Sequence, residues 1–185
     1  MSDLVKTELK AVMLPSNFKE ACTFADYISR SDLAPKDYKG KPQNVLIAMQ
    51  MGAEVGLQPM QAIQNIAVIN GRPSLWGDSL LAVCLPHIDD FKEEYDAETN
   101  GYTCTVKRGK VTTSQSFTEA DAIKANLWGK SGPWVNYPKR MLQMRARGFA
   151  LRDACPDVLK GIHSAEEVRD YDVKPIKVTP QPTVP

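Results

Sequence analysis

Between Pro138 and Pro156 the chain reads PKRMLQMRARGFALRDACP, a span that carries helix formers, one internal glycine and a proline at either end. Proline is tolerated in the first turn of a helix and stops one beyond its end, so this spacing predicts a long helix from about Pro138 to Cys155. That helix is the chain's longest predicted element, and everything else has to be arranged around it. It is also unusual in charge. Lys139, Arg140, Arg145, Arg147 and Arg152 place five cations in fourteen residues with no intervening acid. Such a run repels itself unless a polyanion or distant carboxylates neutralise it.

The segments before this helix read as short strands. FKEEYD and YTCTVKRG meet at Asn100-Gly101, a pair favoured in tight turns, and KVTTSQSF follows through Gly109. The β-branched run Ile66 to Ile69 leads into Asn70-Gly71, a second hairpin signal. Around these lie helical patterns. SNFKEACTFADYISR has Asn17 as its N-cap, KPQNVLIAMQMGAEVG opens with Pro42, and GDSLLAVC ends near Pro86. TEADAIKAN opens with Thr118 and Asp121, and SAEEVRDY carries a capping-box pair in Ser164 and Glu167. LWGKSGPWVNYP reads as a structured loop. The fold expected is α+β, a small antiparallel sheet with hairpins packed against about five helices. At 185 residues one compact domain over 1–173 is expected, followed by an extended proline-rich tail over 174–185.

Composition narrows the function classes. With 43% hydrophobic and 24% charged residues there is no signature of disorder, and no apolar run reaches the roughly 18 residues of a membrane span. The first residues, MSDLVKTELKAVML, lack the uninterrupted apolar segment of a signal peptide, so a cytoplasmic location is expected. Cysteines at 22, 84, 104 and 155 show no paired spacing, consistent with reduced thiols. The net charge of +1 conceals an asymmetry: residues 124–160 carry +6, whereas Asp89 to Glu98 hold six acids and one lysine.

On a helical wheel of about 100° per residue, Met141, Arg145, Gly148 and Arg152 share a stripe about 60° wide, with the two arginines two turns, or roughly 10 Å, apart. Glycine inside a helix costs about 1 kcal/mol relative to alanine, so Gly148 marks a place of close approach. A phosphate backbone gripped by two forked guanidiniums fits that geometry. Lys139 and Arg140 stand in the first turn, where the helix dipole disfavours cations and an anion would compensate. Trp128, Trp134 and Tyr137 flank the cluster, in the manner of aromatics that stack bases or, more commonly, anchor a loop to a core. Lys130 in the same loop and Arg72 in the hairpin complete the candidate DNA-binding set of Lys139, Arg140, Arg145, Arg147, Arg152, Lys130, Trp134 and Arg72.

Other chemistries lack their residues. WGKSG fails as a phosphate-binding loop because Lys124 stands where its first glycine belongs and Pro133-Trp134 follow where its helix starts. Cys84 and His87 make at most half a metal site. No GxSxG, HExxH or GxGxxG occurs, so an enzyme built on Asp78, His87 or Cys84 rests on isolated residues and no enzymatic activity is expected. The residues call for no cofactor, and a magnesium requirement is not legible in them.

GPWVNYPKRMLQMRARGFALR resembles the corresponding stretch of the RecT and Red-beta group of phage single-strand annealing proteins, where a Gly-Pro-Trp loop leads into a basic helix. GLQPMQAIQNIAVINGRPSLWGDSLLAV and PDVLKGIHSAEEV resemble the flanking segments, so the likeness spans about Gly56 to Val168. It implies the fold of that group's annealing core and ATP-independent binding of single-stranded DNA. It further implies annealing of complementary strands, with single-stranded DNA and the annealing duplex as partners, and homo-oligomers in the form of rings or helical filaments during recombination. Carried over by position, the family's DNA-holding residues fall on Lys139, Arg140, Arg145 and Arg152. Family members continue into a C-terminal domain that contacts a phage exonuclease or a host single-strand binding protein, where this sequence runs into its short proline-rich tail. Backbone capture leaves Watson-Crick edges free, which favours Arg145 and Arg152 over the tryptophans as principal contacts. Met49, Met51 and Met60 are candidates for self-association or core. The rival reading is a non-enzymatic interaction module whose basic helix docks an acidic protein partner.

Overall fold

A computed structural model describes residues 14–171, so the expected tail boundary at 173/174 lies outside the described residues. The described chain divides into two compact units between Ala67 and Val68.

The first unit is helical. α1 (Phe18–Arg30) is capped by Asn17, whose side chain accepts from the Glu20 N–H, and α2 (Pro42–Glu54) begins on the expected proline. α3 (Pro59–Asn65) follows, with a capping box between Gln58 and Gln61 that was not apparent as a helix start from the sequence. Ala25, Tyr38, Val45, Ala48, Met49 and Ile63 form its core. The buried Tyr38 hydroxyl donates to the Ile66 carbonyl at 2.7 Å. Burial first, and the nearby Asp37 second, push its pKa up to about 12, so the phenol stays a donor. Met49 is core, Met51 half-buried and Met60 exposed.

The chain passes into the second unit through a hairpin, β1 (Ile66–Ile69) and β2 (Arg72–Leu75). Asn70 and Gly71 both take positive φ, as a tight hairpin turn demands. α4 (Gly77–Cys84) and a single 3-10 turn lead to a three-stranded antiparallel sheet of β3 (Asp90–Asp96), β4 (Gly101–Arg108) and β5 (Val111–Thr118), in that spatial order. The register sets Glu93 opposite Cys104, and Cys104 opposite Gln115. One face therefore carries Phe91, Val106, Cys104 and Phe117, and the other Lys92, Thr103, Thr105, Ser114 and Ser116. α5 (Glu119–Lys124) starts with the expected Thr118–Asp121 capping box, and α6 (Pro133–Asn136) is one turn inside the Trp-rich loop.

α7 (Pro138–Ala154) lies across the apolar face of the sheet, against β4 and β5. Leu142, Ala146, Ala150 and Leu151 are fully buried there, which explains why this helix is longest: it is the spine of its unit. α8 (Pro156–Leu159) and α9 (Ala165–Asp170) close over its other side. The α+β class stands, with more and shorter helices among the described residues than the five expected.

Candidate nucleic-acid interface

The first group of cations on α7 is spent on a closed ring of side-chain bonds. Arg140 donates to both Asp78 oxygens at 2.7 and 2.8 Å, and Arg147 reaches the same carboxylate at 2.6 Å. Arg147 also forks onto Glu93, Nε to Oε1 at 2.8 Å and Nη2 to Oε2 at 2.6 Å. Gln143 closes the ring by accepting from Arg140 and donating to Glu93, each at 2.8 Å. The ring ties α4, α7 and β3 together. Arg147 is 4% exposed, so the expectation that it contacts DNA is corrected: its guanidinium is a buried tie. Burial works against its charge, yet the bonds to Glu93 and Asp78 outweigh that and raise its pKa. Burial likewise acts to raise the pKa of Asp78, but the bonds from Arg147 and Arg140 prevail and lower it.

The stripe Arg145–Gly148–Arg152 does face a close neighbour, and that neighbour is α9. Arg145 meets Asp170 at 2.8 Å with both side chains buried, and Arg152 meets Glu167 at 3.2 Å. The two acids lie three residues apart on α9, antiparallel to the arginines they face. Gly148 sits between, where an added Cβ would lie 3.4 Å from Ser164 Oγ and 3.9 Å from Glu167 Oε2. Arg152 also donates to the His163 ring at 3.0 Å, and Tyr171 donates to Glu167 at 2.5 Å. Burial, then the Arg152 charge, lower the His163 pKa. The proposed phosphate grip by Arg145 and Arg152 is therefore corrected: carboxylates of the same chain occupy both guanidiniums. Glu167 also departs from its expected capping role. Ser164 accepts from the Glu167 N–H, while the carboxylate turns to Arg152 and Tyr171.

Trp134 is 2% exposed and its Nε1 donates to Asp170 at 2.9 Å, so it anchors the loop and is not a base platform. Lys130 approaches Asp170 at 3.6 Å and stays half-buried. Trp128 is half-buried, Tyr137 exposed, and Arg72 exposed on β2.

What remains open is a surface around the start of α7. Lys139 is exposed and lies over the Tyr95 ring, 4.2 Å from its centroid. Arg169 of α9 is exposed and lies 4.5 Å over Trp76. Arg140 projects partly into solvent above Asp78. A cleft of about 490 Å³ opens here, lined by Trp76, Met144, Lys130, Arg140, Glu166 and Arg169 among others. The Gly77 N–H at its back is held by both Glu166 oxygens at 3.1 Å. Trp76 and Arg169 were not among the residues expected from the sequence. The signal that did exist was SAEEVRD, in which Arg169 lies outside the Glu167–Asp170 face and is thus directed away from α7.

The isolated residues considered for catalysis do not converge. Asp78 serves the arginine ring, His87 is exposed, and Cys84 is buried beside Cys155 with its thiol pushed up by burial and by that neighbour. Among the described residues no cluster of three or more His, Cys, Asp or Glu side chains is placed to hold a metal, and no helix is long and apolar enough to cross a membrane. No protein-family model matches the chain, and no curated protein matches it.

Proposed function

We propose that this chain binds single-stranded DNA and anneals complementary strands without ATP, as an assembly of several copies acting in phage-type recombination. The carrying observation is the pair of cation-on-aromatic contacts, exposed Lys139 on Tyr95 and exposed Arg169 on the half-buried Trp76, flanking the start of α7 and the cleft. Proteins that hold single strands combine backbone cations with aromatic faces, and both are present here outside the neutralised interior of the helix. The resemblance of GPWVNYPKRMLQMRARGFALR to the annealing proteins supports the same reading.

In this scheme Lys139 and Arg169 meet phosphates, and Trp76 and Tyr95 offer ring surface to a base. Arg145, Arg147 and Arg152 act indirectly by holding α4, β3 and α9 in place beneath that surface. Contacts of this kind leave Watson-Crick edges available to a second strand. One unit of this size covers few nucleotides, so copies side by side are required, and an exonuclease or a single-strand binding protein is the partner class. The rival module, docking an acidic partner through α7, has little of that helix left to use, because acids of the same chain already neutralise its arginines.

Oligonucleotide binding measured by fluorescence anisotropy across a salt series tests the proposal. The double variant Lys139→Ala, Arg169→Ala is expected to bind more weakly, with a log–log salt slope shallower by roughly 0.7 for each phosphate that the variant leaves un-neutralised. Equal affinity and equal slope in the variant would refute the site, and the absence of ATP-independent annealing by the wild type would refute the function.

A further inference from the structure

An edge strand presents unpaired backbone donors and acceptors, and proteins normally blunt such edges with charge, proline or cover. β3, at one edge of the three-stranded sheet, is blunted: Asp90, Lys92, Glu93, Glu94 and Asp96 make five of its seven residues charged, and Lys92 pairs with Glu94 at 2.8 Å. β5, at the other edge, is not. Its eight residues, VTTSQSFT, include no charge, no proline and no glycine. Among the described residues β4 packs at one side of it, α7 and Trp134 of α6 over one face, and the α5 turn at its end. Among the described residues β4 is the only strand it pairs with.

We infer that β5 is a self-pairing edge, which joins to β5 of a second copy in antiparallel fashion about a two-fold axis and fuses two three-stranded sheets into one of six. The inference rests on the self-association that the proposed function requires and assigns one of its contacts. The strand is suited to meet itself. Ser114 and Ser116 on its solvent face are exposed, and Ser114 already forms a cross-strand hydroxyl pair with Thr105 at 3.0 Å, the kind of contact the new pairing would repeat. The flanks are complementary under two-fold symmetry. Lys110 precedes the strand and Glu119, whose carboxylate also accepts from Asn100 of its own chain at 2.6 Å, follows it, so antiparallel pairing brings the basic end of each copy to the acidic end of the other. The exposed aliphatics Val111, 65% open, and Ile123, 56% open, stand toward those same opposite ends. The charged β3 edge would present Lys92 and Glu94 to an uncharged strand, whereas β5 against β5 buries no unpaired charge.

Native mass spectrometry and sedimentation of the full chain without DNA test this. The wild type is expected to give dimers or multiples of them. The variants Ser114→Lys, Ser116→Lys and Ser114→Glu, Ser116→Glu, each placing like charges across the two-fold, are expected to dissociate at least tenfold more readily. An equimolar mixture of the two is expected to recover the wild-type assembly as mixed pairs. A monomeric wild type, charge variants that assemble as the wild type does, or a mixture that fails to recover would each overturn the inference. If the variants misfold, hydrogen exchange of the wild type decides: β5 amides are expected to gain protection as protein concentration rises, and concentration-independent exchange overturns the pairing. A wild type that pairs through β5 but binds no oligonucleotide removes the annealing reading alone. One that binds oligonucleotide while its charge variants assemble normally removes this inference alone.

Discussion

Arg147 and Glu93 face each other as a two-point fork in the interior of the second unit, 2.8 and 2.6 Å apart, with the guanidinium also on Asp78. Removing one member of such a buried pair strands the other's charge, at about 3–5 kcal/mol, whereas replacing both with apolar residues of similar volume avoids that penalty. Glu93→Leu and Arg147→Met are each expected to lower the urea unfolding free energy by about that amount. The double variant should fall well short of their sum. Additive losses in the double-mutant cycle would show that the two side chains act independently.

Arg145 and Arg152 are expected to behave as structural residues. Arg145→Ala leaves the buried Asp170 carboxylate with Trp134 and a distant Lys130, and should cost about 3 kcal/mol or more. Arg152→Ala should cost less, because Arg152 is 26% exposed and Tyr171 still donates to Glu167. Neither change should alter the salt slope of oligonucleotide binding in protein that remains folded. Denaturation curves and anisotropy on the same samples separate the two effects, and a shallower slope with unaltered stability would restore these arginines to the DNA surface.

The limits of the long helix were legible because proline marks both ends, and the sheet because Asn100-Gly101 and Gly109 punctuate its strands. α3 was not legible: seven residues give too little periodicity to separate a helix from the strand that follows at Ile66. The arginine stripe illustrates a different limit. A helical wheel gives the direction of a side chain and says nothing of what fills the space it points into. Gly148 faces α9 at ordinary contact distance, where a methyl group would fit, and the matching acids, Glu167 and Asp170 at helical spacing, were in the sequence. Glu93 lay within an acidic run that charge counting treats as repelling a polyanion, although its alternation places it on the face of β3 turned toward α7. Trp134 followed the commoner of the two roles considered for a loop tryptophan.

The glycines make opposite predictions. At Gly52, between α2 and α3, an added Cβ would lie 2.2 Å from Ala62 Cβ and 3.3 Å from its Cα, so Gly52→Ala should force the helices apart and cost about 1–3 kcal/mol. At Gly148 the Cβ meets Ser164 Oγ at 3.4 Å, an ordinary contact, and alanine is the better helix former by up to about 1 kcal/mol. Gly148→Ala is therefore expected to be neutral or mildly stabilising in thermal and urea unfolding. A large loss there would mean that α9 packs more tightly on α7 than these distances allow.

Acid should loosen the second unit in a defined window. Arg108 forks onto Asp157 at 2.5 and 2.8 Å and also bonds the Ala154 carbonyl at 3.2 Å, pinning the end of β4 to α8. That fork holds the Asp157 carboxyl at about 2, below the roughly 3.9 of an unfolded aspartate. A carboxyl with a lowered folded pKa favours the fold when ionised. Its contribution is fully present above the unfolded value and is lost as pH falls through the folded one, between about 4 and about 2. Asp78 is lowered as well, by its bonds from Arg147 and Arg140 against the opposing effect of burial, and adds in the same direction. Urea midpoints measured from about pH 6 down to about pH 2 should therefore stay level and then decline over that window. Asp157→Asn should start lower at neutral pH and decline less steeply, because the asparagine has no proton to take up. A variant whose acid limb has the same slope as the wild type would show that the Arg108 fork contributes nothing to the pH dependence.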